Sequence, residues 1–230
     1  ASSTSWVTSS TPGRWFATGG NRREKTVVAT KVYVRMSDWP NDRHLSTLNI
    51  RRACEASLRR LQTDYIDVYQ MHHVDRNTPW EEIWEAFNVL RQQGKVLYFG
   101  SSAFAGWHIA QAQEAARSRH FLGLVSDVSM YNLLTRWIEL EVLPAARYYG
   151  LGVIARSPLC FGLLGGILGK QRAGSLSRGT SELVARMLDQ HRDAIEAYEK
   201  LCADLGEDPA HVGLAWLRAQ DGVTGPLVGR

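Results

Sequence analysis

The chain has 230 residues, 44% of them hydrophobic and 22% charged, with 20 Gly and 7 Pro. This composition excludes a disordered or collagen-like chain and supplies the apolar surface for one large domain or two small ones. Lys and Arg number 27 against 23 Asp and Glu, a net charge of +4; the basic residues are scattered or set beside acids, so nucleic acid is not an expected partner.

Residues 1–13 read as a remnant or flexible segment. The β-branched run 26–32 predicts a short buried strand. Over 48–61, Ile50, Ala53, Cys54, Ser57, Leu58 and Leu61 share one helical face. The next strand is 66–72. Pro79 opens a helix over 80–93 that Gly94 closes. Strands follow at 96–101, 123–128 and 151–156, separated by helices at 107–118 and 137–149. Residues 162–180, rich in Gly, Ser, Lys and Arg, read as a long loop. One long helix is expected over 181–205 and another from Asp208-Pro209 to Ala219, before a last strand at 222–228. Most of the eight Trp residues are expected in the core.

Strand and helix alternate with crossovers long enough for parallel pairing, which makes this an α/β protein. On pattern alone, an open doubly wound sheet and a closed barrel both fit. No GxGxxG or P-loop follows the first strand. No apolar run reaches the ~18 residues of a membrane span, and Ala1–Val7 lacks the plan of a signal peptide, so no membrane role is expected. Cys54, Cys160 and Cys202 form neither a metal spacing nor a disulfide framework, which fits a reducing, cytoplasmic setting.

In parallel α/β folds, functional groups gather at the C-terminal ends of strands. Those ends carry Lys31, His72 with His73, Ser101 with Ser102, Asp127, and Arg156 with Ser157. A buried Lys is costly unless paired or neutral, and a His beside it can exchange a proton with a substrate or donate to an oxyanion. The alternative is that Lys31 pairs with a carboxylate and His72 is a satisfied core residue. Tyr33, Trp39, Trp80, Trp107 and Phe161 are candidate wall residues for a small hydrophobic ligand.

Thr30-Lys31-Val32, Tyr65 through His73, Gly94 through Ser102, Tyr131-Asn132-Leu133-Leu134 and Ser157-Pro158-Leu159 together resemble the aldo-keto reductases, from about residue 14 to the end. The resemblance implies a (β/α)₈ TIM barrel and, in ordinary members, NADPH-dependent carbonyl reduction. The six strands fall short of eight, and the shortfall lies at the N-terminus and after the last strand. Within the family's Asp, Tyr, Lys and His set, Lys31 matches the Lys that lowers the Tyr pKa, and His72 the His that orients the carbonyl. The Asp- and Tyr-bearing segment has no match before Lys31. Ala103, Val128 and Arg156 stand where the family carries an Asn, a Gln and an aromatic ring against the nicotinamide. Ser102, Ser157, Leu159, Lys170 and Arg172 remain as cofactor-binding positions. Arg156, His73, Asp127, Tyr131 and Trp107 are the candidate substrate-binding residues.

These departures favour an enzyme that works without a cofactor, performing dehydration, isomerisation or cyclisation of a small carbonyl compound with Lys31 and His72 as its acid/base pair. The alternatives are a conventional NADP(H)-dependent reductase represented by part of its chain, and a non-catalytic binding or regulatory subunit. No metal is expected. Self-association would shield the open sheet edge.

Overall fold

Arg23 decides where the first strand begins. Its guanidinium donates to the carbonyls of Thr26 (3.0 Å) and Tyr65 (2.8 Å) and to Thr63 Oγ1 (2.9 Å), and pairs with Asp67 at 2.8 Å. The Val28 N–H is also taken by Asp67 Oδ2. Residues 21–26 are thereby held as a turn, and strand β1 runs only Ala29–Val32, not from 26. The computed structural model describes residues 10–174 and 181–228. The expected segment at 1–13 lies outside them up to residue 9; Ser10–Ala17 form helix α1, which the sequence reading missed.

The described residues form two compact units. The first holds residues up to 127, with 149–151. After β1 come α2 (Thr47–Leu61), β2 (Ile66–Met71), α3 (Trp80–Gln92), β3 (Val96–Ser102), α4 (Gly106–Arg117) and the start of β4 (Leu124–Met130). Ser46 accepts the Asn49 N–H to open α2, and Gln62, at φ 54°, ends it. The strand order is β1-β2-β3-β4, with β1 parallel to β2 and β2 parallel to β3. Trp84, Phe87, Phe99 and Tyr69 form the buried centre of this unit, with Phe87 stacked on Phe99 at 4.6 Å between centroids.

The second unit contains the end of β4, α5 (Val142–Tyr149, to residue 148), β5 (Gly152–Arg156), α6 (Ile167–Arg172), α7 (Glu182–Gln190), α8 (Arg192–Leu205), α9 (Pro209–Arg218) and β6 (Val223–Pro226). β5 and β6 are parallel. Three sequence expectations need correction here. The helix expected over 137–149 is a single 3₁₀ turn at Trp137–Glu139 and then α5, because Pro144 has no N–H and its ring crowds the carbonyl of Leu140. The loop expected at 162–180 contains α6, with 175–180 outside the described residues. The helix expected over 181–205 breaks at His191, which lets Val184 and Leu188 of α7 and Ile195 of α8 turn into one cluster with Leu163, Leu164 and Ile167.

The tryptophans are a further correction. Among the described ones only Trp84 is fully buried, while Trp15, Trp39, Trp107 and Trp137 are about half exposed or more. Their spacing places them on solvent-side helix faces and loops, where a ring covers backbone without entering a core. No helix among the described residues is long and apolar enough to cross a membrane.

Candidate active site

Strand register brings the two expected basic residues together. Lys31 is opposite Gln70, and Val32 opposite Met71. Successive side chains alternate between faces, so Lys31, Gln70 and His72 share one face, and Val32, Tyr69 and Met71 the other. The His72 N–H donates to the Val32 carbonyl at 2.8 Å, which carries the ladder one residue beyond β2. Gln70 is buried, with Gly100 of β3 opposite it. A Cβ at position 100 would lie 2.8 Å from Ser126 Oγ and 3.2 Å from Gln70 Cγ, so the glycine leaves room for this polar layer.

A cavity of about 1230 Å³ lies along β1 and α2, with Lys31, Tyr33 and His72 in its wall. Trp39, Trp80, Trp107 and Phe161 are not in that wall. Four arginines of α2 (Arg51, Arg52, Arg59 and Arg60) line it as well. The wall's acids are Asp42, Glu55, which pairs with Lys95, and Glu82, which accepts the Thr47 N–H at 2.9 Å. Against these three stand Lys31 and the four arginines, so the wall is net cationic and favours electron-rich or anionic groups. Lys31 is half-buried, and burial lowers its pKa from the ordinary lysine value. Among the described residues its ammonium has no hydrogen bond or ion pair. The expected alternative of a paired Lys31 is thus not what the described residues form.

The rim of the cavity is strained. Tyr33 has φ 135° and His44 φ 67°, both unusual for residues with a side chain. The Tyr33 carbonyl accepts the His44 N–H at 2.7 Å, and the Tyr33 ring lies against His44 (5.1 Å) and His73 (5.5 Å). Asp75 ties this rim down, accepting from the N–H groups of Leu45 (3.0 Å) and Asn77 (3.0 Å) and from Thr78 Oγ1 (2.8 Å). Burial by itself would raise the Asp75 pKa; the hydrogen bonds and the nearby His44 outweigh it and hold the carboxyl below its ordinary value. A carboxyl depressed in the folded state contributes stability above its unfolded pKa of about 4 and loses it as pH falls through the folded value. Urea titrations of wild type and Asp75→Asn are expected to differ most at neutral pH and to converge on acidification. A gap that does not change with pH would show that Asp75 acts without its charge.

The remaining candidates of the first unit sit elsewhere. Asp127 is fully buried and accepts the Ser101 Oγ–H at 2.7 Å. Ser101 is opposite Met71, so this pair belongs to the face away from Lys31 and His72. Ser102 shares the face of Gly100. Trp107 is exposed, with its ring 3.5 Å from that of His108.

In the second unit Tyr131 is buried. Its hydroxyl donates to Glu139 Oε1 at 2.6 Å, and Arg136 grips the same carboxylate through two nitrogens at 2.8 and 3.1 Å. Burial and Glu139 push the Tyr131 pKa up, so the phenol stays protonated and tied to its neighbour. Arg156 is half-buried, and its carbonyl accepts the Tyr131 N–H. Ser157 and Leu159 belong to a loop in which Ser157, Cys160 and Phe161 all have positive φ. Lys170 donates to the Gly165 carbonyl at 2.6 Å, and Arg172 lies 3.9 Å from Glu199. Glu199 also accepts the N–H groups of Leu168 and Gly169 and so fills the start of α6 with a carboxylate of the chain itself. Sequence reasoning missed Gln70, Glu139 and Glu199. Gln70 was legible as the residue two before His72; the two glutamates were not, because their partners are set by folding.

The described strands β1, β2 and β3 pair in parallel, with Lys31 and His72 on one face beside the cavity. The family model described as "Aldo/keto reductase family" matches residues 10–230, and the chain belongs to this family. It is 53% identical over 227 residues to a Bacillus subtilis protein named "Uncharacterized oxidoreductase YrpG", covering 97% of this chain and 68% of that one. It is 32% identical to a rice protein named "Probable voltage-gated potassium channel subunit beta" (91% and 66% covered) and 31% identical to Escherichia coli "Protein tas" (98% and 72%). The chain spans about two thirds of the length of these relatives.

Proposed function

We propose that the protein is an oxidoreductase acting on small carbonyl compounds with NADP(H), in which Lys31 and His72 act at the carbonyl oxygen. The observation that carries this reading is their common strand face beside the 1230 Å³ cavity, with the Lys31 ammonium partly desolvated. A cation held where water is scarce stabilises negative charge developing on oxygen far better than one in bulk solvent. His72 supplies a second donor or a proton acceptor. The nicotinamide, when bound, supplies or accepts the hydride. The residues of the second unit fit the phosphates of such a cofactor. In the Ser157–Gly162 loop the N–H groups of Leu159 and Phe161 have no acceptor among the described residues. Lys170 and Arg172 lie farther along the chain, though both already have internal partners.

The second reading is cofactor-independent acid/base chemistry at the same Lys31 and His72. It is favoured by Ala103, Val128 and Arg156, which replace two hydrogen-bonding side chains and a ring at the nicotinamide positions that the family resemblance implies; Val128 is buried and offers no hydrogen bond from its side chain. The name of the Bacillus subtilis relative weighs toward the redox reading. Titrating the protein with NADPH while following tryptophan fluorescence, then adding a small aldehyde and following NADPH consumption, decides between them. Saturable quenching with turnover supports the redox reading. Conversion of a carbonyl compound without NADPH supports the second. Failure of both assays would leave the non-catalytic subunit.

A further inference from the structure

We propose that Asn132 is a positioning residue that holds the Ser157–Gly162 loop in its left-handed shape, and through it the amides that meet the phosphates of a dinucleotide. This inference rests on the redox reading for its ligand but on geometry for the loop. Ser157 has φ 52° and precedes Pro158. The proline ring crowds the residue before it and favours extended backbone there, so Ser157 is strained twice over. Its carbonyl accepts two hydrogen bonds, from the Cys160 N–H at 2.9 Å and from Asn132 Nδ2 at 3.0 Å.

Asn132 is built to make the second of these. It is fully buried, its Oδ1 accepts the Leu134 N–H at 3.0 Å, and its backbone pairs with Thr135 in both directions. With the oxygen end anchored inside its own turn, the side-chain N–H₂ has a fixed direction. The hand of the backbone reverses between Leu159, at φ −105° and ψ 21°, and Cys160, at φ 47°, and stays left-handed through Phe161 and Gly162 at 55° and 100°. A right-handed residue followed by a left-handed one converges the adjacent N–H groups on an anion-sized concavity. Two such groups, those of Leu159 and Phe161, carry no acceptor among the described residues. Losing the Asn132 bond lets Ser157 relax toward extended backbone and disperses them.

The test uses the whole chain as Asn132→Asp and Asn132→Ala, the second to exclude an effect of added charge. Amide hydrogen exchange without ligand is expected to speed up about tenfold at Cys160, Gly162 and Leu163, while Ile195 in α8 stays as in wild type and reports that the unit is folded. NADPH affinity is expected to fall about tenfold, with kcat at saturating NADPH unchanged. Adding Ser157→Gly to either variant is expected to restore much of the affinity, since glycine takes φ 52° without strain. Unchanged loop exchange in both variants overturns the proposal, as does a fall in kcat with NADPH affinity intact. If wild type does not bind NADPH and the loop still loosens, the positioning role stands and the dinucleotide reading fails.

Discussion

Lys31→Met is expected to lower kcat/KM for a small carbonyl substrate by a factor of about 10²–10⁴, the range for removal of a positioned acid/base group. Methionine fills the same unbranched volume beside Val32 and leaves the strand pairing intact, so the loss reports charge and proton, not packing. The stability effect is expected to run the other way. Burial lowers the Lys31 pKa, so the folded state holds this proton less tightly than the unfolded state. The desolvation penalty is therefore present below the folded pKa and disappears as pH rises toward the ordinary lysine value. At neutral pH the variant is expected to match or exceed wild type in urea, and the gap to narrow in alkali. The activity profile of wild type is expected to show a limb below the ordinary lysine pKa that the variant lacks. Turnover within threefold of wild type would remove Lys31 from the mechanism. Lost activity together with lost stability would make it a structural residue instead.

Trp84→Ala is expected to cost about 3–5 kcal/mol, the range for deleting a buried aromatic side chain. Trp84 is 1% exposed. Its ring lies edge-on to Phe87 at 5.8 Å and to Phe99 at 6.4 Å, and 5.2 Å from Phe121. Its Nε1–H donates to the Ala112 carbonyl at 3.0 Å, tying α3 to α4. Truncation leaves a cavity bounded by rings that cannot collapse into it, because Phe87 and Phe99 are already stacked on each other. It also leaves the Ala112 carbonyl short of a donor. For a domain of this size the loss corresponds to a fall in Tm of about 6–20 °C. Trp84→Phe keeps part of the ring and loses the hydrogen bond, so an intermediate fall is expected. A shift of under about 2 °C for the alanine variant would mean that this cluster does not limit the stability of its unit.

Much of the architecture was legible because it depends on local periodicity. The apolar face of Ile50, Cys54, Leu58 and Leu61 could be read as α2, and the runs before Met71 and Ser102 as strands, since each pattern states which side must be buried. That Lys31 and His72 meet was an expectation from their places at strand ends and from the family resemblance; the register of β1 against β2 puts them on one face. The face of each side chain was harder. Asp127 was expected at a strand end like Lys31, yet β4 runs on to Met130 and Asp127 meets Ser101 from within the strand.

What the sequence determined by itself was the alternation of elements, the family, and the two basic residues that reach the cavity, because these follow from spacing of 2.0 and 3.6 residues and from motifs contiguous in the chain. What only the tertiary structure decided was every polar partnership between distant segments. Glu139 holds Tyr131, Glu199 fills the start of α6, Arg23 sets the first residue of β1, and Asn132 reaches Ser157 25 positions away. A buried donor must find an acceptor, but which one it finds depends on how loops are folded against each other, and no local pattern encodes that.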